Sequence, residues 1–214
     1  MVYDNFVLIS TKRRHMQLII GTTNEAKVRQ IKGALSPLNL QIDGVKDKGM
    51  LPEVIEDGAT AQDNTRKKAI VYAKALDKNV LSMDNALFID GLSDEEQPGI
   101  NVRRIAGQDY RPSDEELLRH YSSLIKRLGA KVKGHWEFAV CVATPNGEVQ
   151  DTTIISHRIF VAEPSAHIVA GYPLESIQIE PESGKYISEM SQYEQDIFWQ
   201  KAIGEKLCDF VRSL

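Results

Sequence analysis

Cysteine is scarce in this chain of 214 residues: Cys141 and Cys208 are the only two, each in an apolar stretch. That argues against a disulfide framework and for buried thiols in a reducing, cytoplasmic compartment. Long apolar runs are also missing, and nothing approaches the roughly 20 residues that span a bilayer. The apolar patch Phe6–Ile9 precedes Lys12, Arg13 and Arg14, the reverse of the order in a secretory signal. An excess of positive charge is absent as well. The formal charge of −4 opposes binding to polymeric nucleic acid, which needs a basic surface. It leaves room for a small anionic substrate, because a metal ion and a few cations make a local positive site. What is present is ordinary for a folded protein: 42% hydrophobic and 26% charged residues, without repeats or low-complexity tracts. Residues 1–15 read as an extension and 16–214 as one α/β domain large enough for its own core.

Met16–Gly21 reads as a buried strand, Thr22–Asn24 as a tight polar loop, and Glu25–Leu35 as a helix with Ala26, Val28, Ile31 and Leu35 on one face. A strand–loop–helix junction offers free backbone N–H groups at the helix start, hence a place for an anion. Gln41–Met50 reads as strand and loop. Asp57–Asp77 is the clearest helix, capped by Asp57 or Thr60. Val80–Asp90 is strand-like with a polar break at Asp84–Asn85, and Ser113 with Glu116 forms a capping box opening a helix to about Leu128. Glu137–Thr144 and Thr152–Val161 alternate on either side of Pro145-Asn146-Gly147, a hairpin, and Glu194–Leu214 closes the chain as an amphipathic helix. The mixture predicts a twisted mixed sheet flanked by helices.

Two carboxylates carry a chemical reading. Asp84 interrupts an apolar strand, where a charge costs several kcal/mol unless paired or metal-bound; a turn between two short strands is the alternative. Glu56 precedes the long helix, where it is either a carboxylate favoured by the helix dipole or a ligand. Mg²⁺ suits such a pair, since it takes one or two carboxylates and keeps its other positions for water and phosphate.

The ordered motifs add to this. Gly21-Thr-Thr-Asn24-Glu-Ala-Lys27, the segment Glu56–Ala69 with Gly58, Thr60, Asn64 and Lys68, Asp84-Asn-Ala-Leu87-Phe-Ile-Asp90, and Pro98-Gly99-Ile100 through Arg104 occur in series. Together they resemble the inosine triphosphate pyrophosphatase family. The resemblance implies a two-lobed α/β fold with a nucleotide cleft, a homodimer, and Mg²⁺-dependent hydrolysis of a nucleoside triphosphate to monophosphate and pyrophosphate. It implies that Thr22, Thr23, Asn24, Lys27 and Lys68 contact the triphosphate, that Glu56 and Asp84 hold the metal, and that Asp84 serves as base.

The base-recognition half departs from that family. Its aromatic-Asp-Pro segment and late Ser-His-Arg are not in their expected places. Ser156-His157-Arg158 falls inside the second hairpin strand, where His157 reads as one alternating strand side chain. A register anchored on Pro181 and Gly184-Lys185 puts Glu175 at the aspartate and Trp199-Gln200-Lys201 at Ser-His-Arg, with Lys185 near the base; a second register uses Gly171-Tyr172-Pro173. The expectation is an intact hydrolytic site with redirected selectivity among purine triphosphates such as dITP, ITP and XTP. Two other readings stay open: a silent nucleotide-binding protein, and a phosphatase releasing the terminal phosphate.

Overall fold

The structure is a computed structural model, and it describes residues 17–46, 49, 51–105 and 109–214. The extension expected over residues 1–15 lies outside the described residues. A six-stranded mixed sheet organises the chain: β1 (Gln17–Ile20), β2 (Gln41–Gly44), β3 (Val80–Ile89), β4 (Lys131–Ala143), β5 (Val149–Val161) and β6 (Gln178–Ile179), in the order β2-β1-β3-β4-β5-β6. The β1 contacts with β2 and β3 are parallel, and the β3–β4, β4–β5 and β5–β6 contacts are antiparallel. This is the mixed α/β arrangement that the sequence predicts. The parallel pairs are joined by crossover helices, α1 (Glu25–Ala34) and α2 (Ala61–Leu76), as parallel pairing requires.

Several bounds differ from the sequence expectation for physical reasons. α2 begins at Ala61 rather than Asp57, because Thr60 is the cap: its Oγ1 accepts the Asp63 N–H at 3.1 Å, and Asp63 Oδ2 accepts the Thr60 N–H at 3.1 Å. β3 runs unbroken through Asp84 and Asn85, which pair with Ala139 and Phe138, since the ladder is made by backbone groups and tolerates polar side chains. β4 starts at Lys131, its polar first half carried by pairing on both sides with β3 and β5. The capping box at Ser113 and Glu116 opens α3 (Asp114–Arg127) as expected. The last helix is broken into α4 (Gln192–Trp199), a π-helical turn at Gln200–Gly204, and α5 (Glu205–Arg212).

Two of the apolar clusters built on the sheet border the site. One gathers Leu18, Ile20, Leu81, Phe138 and Val140 with Ile31, Leu207 and Val211 of α1 and α5. The other gathers Leu87, Ile89 and Phe160 with Leu117, Tyr121 and Ile125 of α3. Trp136 of β4 packs against both, so the gap between them opens along the middle of the sheet. Cys141 and Cys208 are both buried and free. Among the described residues, no helix is long and apolar enough to cross a membrane.

Candidate active site

The loop after β1 is drawn tightly against β3. Gly21 donates its N–H to Leu81 O at 2.7 Å. A Cβ at Gly21 would lie 2.5 Å from Ser82 Oγ and 2.8 Å from Val80 Cγ1, so a side chain would force the loop away. Thr22 Oγ1 accepts the Asn24 N–H at 3.2 Å, and Asn24 Oδ1 accepts the Lys27 N–H at 3.3 Å. Asn24 therefore caps α1. Lys27, in the first turn, donates from Nζ to Asp84 Oδ1 at 3.1 Å and to Met83 O at 3.4 Å. Asp84 thus has the counter-charge that a carboxylate in an apolar strand needs, and both side chains remain about one-fifth exposed.

A second pair stands beside it. Lys68 of α2 reaches Glu56 Oε1 at 2.6 Å. The segment carrying Glu56 is fastened to α2 by Asn64, whose buried side chain accepts the Gly58 N–H at 2.7 Å. A Cβ on Gly58 would come within 2.6 Å of Asp63 Cβ, so glycine permits this close approach.

Asn24, Lys27, Glu56 and Asp84 form one end of a cavity of about 350 Å³. Its other walls carry an apolar and aromatic set, Phe138 and Trp136 from β4, Leu117 from α3, Leu174 from the 3₁₀ turn Pro173–Ile177, and Trp199 from α4, together with Arg103, Arg111 and Glu175. The Trp136 indole donates to Gln178 Oε1 at 3.0 Å, and Gln178 donates to Leu174 O at 2.9 Å, which fixes that wall. The rim is held by Asp114, which accepts from Arg103 Nη2 at 2.7 Å and from the Gly171 N–H at 2.6 Å.

Several polar groups on or behind this wall lack hydrogen-bond partners among the described residues: Asn85 Oδ1, Tyr172 Oη, and Nε and Nη2 of Arg158. Buried groups of this kind cost about 1–3 kcal/mol each unless something satisfies them. Burial pushes the Tyr172 phenol up to about 12, with the Glu175 charge adding to it. Burial also pushes the Glu175 carboxyl up to about 7, against the Arg158 charge, which holds it down. An anion-and-cation end joined to an aromatic end with unspent polar groups suits a ligand that is charged at one extremity and flat at the other.

The family model of the Ham1 family matches residues 18–201, most of the chain. This protein belongs to the Ham1 family. A dITP/XTP pyrophosphatase of an Exiguobacterium species is 33% identical over 135 residues, covering 62% of this chain and 65% of the relative's length. One from Rhodopirellula baltica is 28% identical over 183 residues, covering 83% of this chain and 84% of the relative. The Ham1 protein of Staphylococcus aureus superposes with a TM-score of 0.71 at 20% identity, over 92% of this chain and 98% of that one, which supports a shared fold.

Within this Ham1 chain the structure gathers Asn24, Lys27, Glu56, Asp84, Glu175 and Trp199 on one cavity, with Lys68 attached through Glu56. Thr22 braces the loop from within it, and Thr23 is exposed. Three residues expected at the base are not on the cavity wall. Lys185 is engaged by Glu194 Oε1 and Oε2 at 2.9 and 2.8 Å, Lys201 is exposed 3.6 Å from Glu182, and Gln200 packs against Gly204. Gln200 and Lys201 enter the π-helical turn directly after Trp199 and so leave the face that Trp199 occupies, while Lys185, in the segment before α4, is drawn to Glu194. Both registers considered for the preceding loop supply wall residues, since Gly171, Tyr172 and Pro173 line the cavity along with Glu175. His157 is exposed, as strand alternation predicts, and the same alternation turns Ser156 and Arg158 inward, where Arg158 is 4% exposed.

Proposed function

We propose that this Ham1 protein hydrolyses a purine nucleoside triphosphate to the monophosphate and pyrophosphate, as a nucleotide-pool sanitising enzyme. The single observation that carries the reading is the pair of lysine–carboxylate contacts, Lys27–Asp84 and Lys68–Glu56, at one end of a cavity whose other end is aromatic. The relatives named dITP/XTP pyrophosphatases support it.

The donor set fits Mg²⁺. Two carboxylates flank the same end of the cavity, and no group of three or more His, Cys, Asp or Glu suited to a metal occurs among the described residues. Mg²⁺ takes one or two carboxylates and completes its shell with water and phosphate oxygens, whereas a closed zinc site demands four protein ligands. Glu56 and Asp84 would hold it, and it would neutralise phosphate charge and acidify water. Lys27 and Lys68 then turn from their carboxylates to the triphosphate, and the capped start of α1 presents backbone N–H groups to it. Asp84 accepts the proton of the water that attacks the α-phosphorus, and Trp199 with Phe138 encloses the base. We read the protein as a cytoplasmic homodimer on the family resemblance and the two buried free thiols.

Product analysis tests this. Mg²⁺-dependent release of pyrophosphate and monophosphate is expected, with Asp84→Asn lowering kcat by about 10²–10⁴ while the fold persists. Release of diphosphate and phosphate, or tight binding without turnover, overturns it.

A further inference from the structure

Three segments distant in sequence meet around one residue at the rim of the cavity. Asp114, at the start of α3, accepts the Gly171 N–H on Oδ2 at 2.6 Å and Arg103 Nη2 on Oδ1 at 2.7 Å. Arg103 donates from Nη1 to Gly171 O at 3.0 Å, which closes a ring of three hydrogen bonds. Both backbone polar groups of Gly171 are therefore held, at a φ of +80° that favours glycine. The clamp stands on firmly held backbone. Gly99 exchanges two hydrogen bonds with Leu87 of β3, and Tyr121 of α3 donates to Val102 O at 3.0 Å. Beyond Gly171 the chain becomes cavity wall, with Tyr172, Pro173, Leu174 and Glu175 in succession. The far end of that wall is tied to the body by the Ser165 N–H to Ser176 O at 2.8 Å and by Gln178 to Leu174 O. At the near end the Tyr172 N–H bonds within its own loop, to Val169 O at 2.9 Å, so the place of Tyr172 is set through Gly171.

Stability does not account for this ring. The Arg103 and Asp114 side chains stay 38% and 30% exposed, a setting in which an ion pair contributes little to folding. Arg103 Nε is buried without a partner among the described residues, which works against the pair. We propose that Arg103 and Asp114 are positioning residues for the nucleoside half of the substrate. By clamping Gly171 they fix Tyr172 and the start of the Pro173–Ile177 turn against the aromatic wall, and they do so whichever purine is bound. The inference rests on the triphosphate reading of the site. The phosphate end is held separately, by Lys27 with Asp84 and by Lys68 with Glu56. Opening the clamp therefore loosens one end of the cavity and spares the other. The role needs arginine for its geometry as well as its charge, because a planar fork meets two acceptors on two segments and an ammonium does not reproduce that.

The test compares two probes on the full chain with Mg²⁺ by calorimetry: the α,β-imido analogue of dITP, and inorganic tripolyphosphate, which lacks the nucleoside. Steady-state pyrophosphate release from dITP and XTP is measured beside it. Asp114→Ala and Arg103→Met should each weaken analogue binding about tenfold or more and raise KM for both triphosphates alike. Tripolyphosphate binding and kcat should stay within about threefold of wild type. Arg103→Lys, which keeps the charge and guards against misfolding, should behave as Arg103→Met does. The double variant should lose no more than about twofold beyond either single one, since one broken bond already frees Gly171. Amide exchange at Gly171 should quicken in every variant, a readout that needs no ligand. Unchanged analogue affinity, an equal loss of tripolyphosphate binding, losses that add in the double variant, or a full rescue by Arg103→Lys overturns the proposal. The expected split in binding without pyrophosphate release upholds the clamp and overturns the hydrolytic reading, and a wild type that binds neither probe overturns both.

Discussion

Glu175 makes stability depend on pH. Burial raises its folded-state carboxyl to about 7 from the ordinary 4.5, with Arg158 opposing the rise. The native state therefore binds a proton that the unfolded chain has already released between those values. A group raised on folding contributes its stability fully below the unfolded pKa and loses it as pH rises through the folded one. The Glu175 contribution should be greatest below pH 4.5, fall between 4.5 and 7, and level off above. A shift of about 2.5 units corresponds to on the order of 3 kcal/mol in all, of which about 2–3 kcal/mol falls between pH 5 and pH 8. Other groups titrate in the same range. His120, depressed mainly by burial and then by Arg127, works in the opposite direction. The informative quantity is thus the difference between wild type and Glu175→Gln, measured by urea unfolding at several pH values. Wild type should lose about 2–3 kcal/mol relative to the variant from pH 5 to pH 8. A difference that stays flat with pH would refute the assignment of a buried, ionising Glu175, whatever the absolute stability of the variant.

The scaffold around the site gives further expectations. Thr60→Ala removes the hydroxyl that accepts the Asp63 N–H at the start of α2, leaves the Thr60 N–H to Asp63, and should cost about 1 kcal/mol in chemical denaturation. Lys185→Ala and Lys201→Ala break contacts on the protein surface away from the cavity wall, so KM for the triphosphate should stay within about twofold of wild type. A tenfold rise in KM for either would place that lysine at the base, as the sequence register expects.

How much of this was legible in the sequence depended on how far apart the cooperating residues lie. Gly21, Asn24 and Lys27 sit on one strand–loop–helix junction, and Thr60, Asn64 and Lys68 on one helix start, so spacing alone brings them together. Asp84 was conspicuous because a carboxylate in an apolar strand needs a partner, although Lys27 as that partner came only from the fold. The aromatic end is built otherwise. Trp136, Arg158, Tyr172 with Glu175, and Trp199 come from four segments, β4, β5, the 3₁₀ turn and α4, and no local pattern links them. Even so, one signal was available. The alternation that sends His157 outward also sends Arg158 inward, and a buried arginine asks what it serves. The π-helical turn left no comparable mark, since Gln200-Lys201-Ala202-Ile203-Gly204 reads as ordinary helix.

The two ends of the cavity also differ in how firmly they are determined. At the polar end each charge already has an opposite at 2.6–3.1 Å, and backbone hydrogen bonds and glycine contacts hold the segments that carry them. Substituting any one of these residues strands its partner, which is costly in a partly buried setting. At the aromatic end the charges are uncommitted, and the wall beside them is made of side chains rather than backbone. A change there strands little, so selectivity among bases can shift while the chemistry on the phosphates stays fixed. Stability alone would favour replacing Arg158 and Glu175 with apolar residues of similar size. That the chain carries an unpaired Glu175 on the wall of a cavity, with an incompletely paired Arg158 buried behind it, is what a site with an outside partner would show.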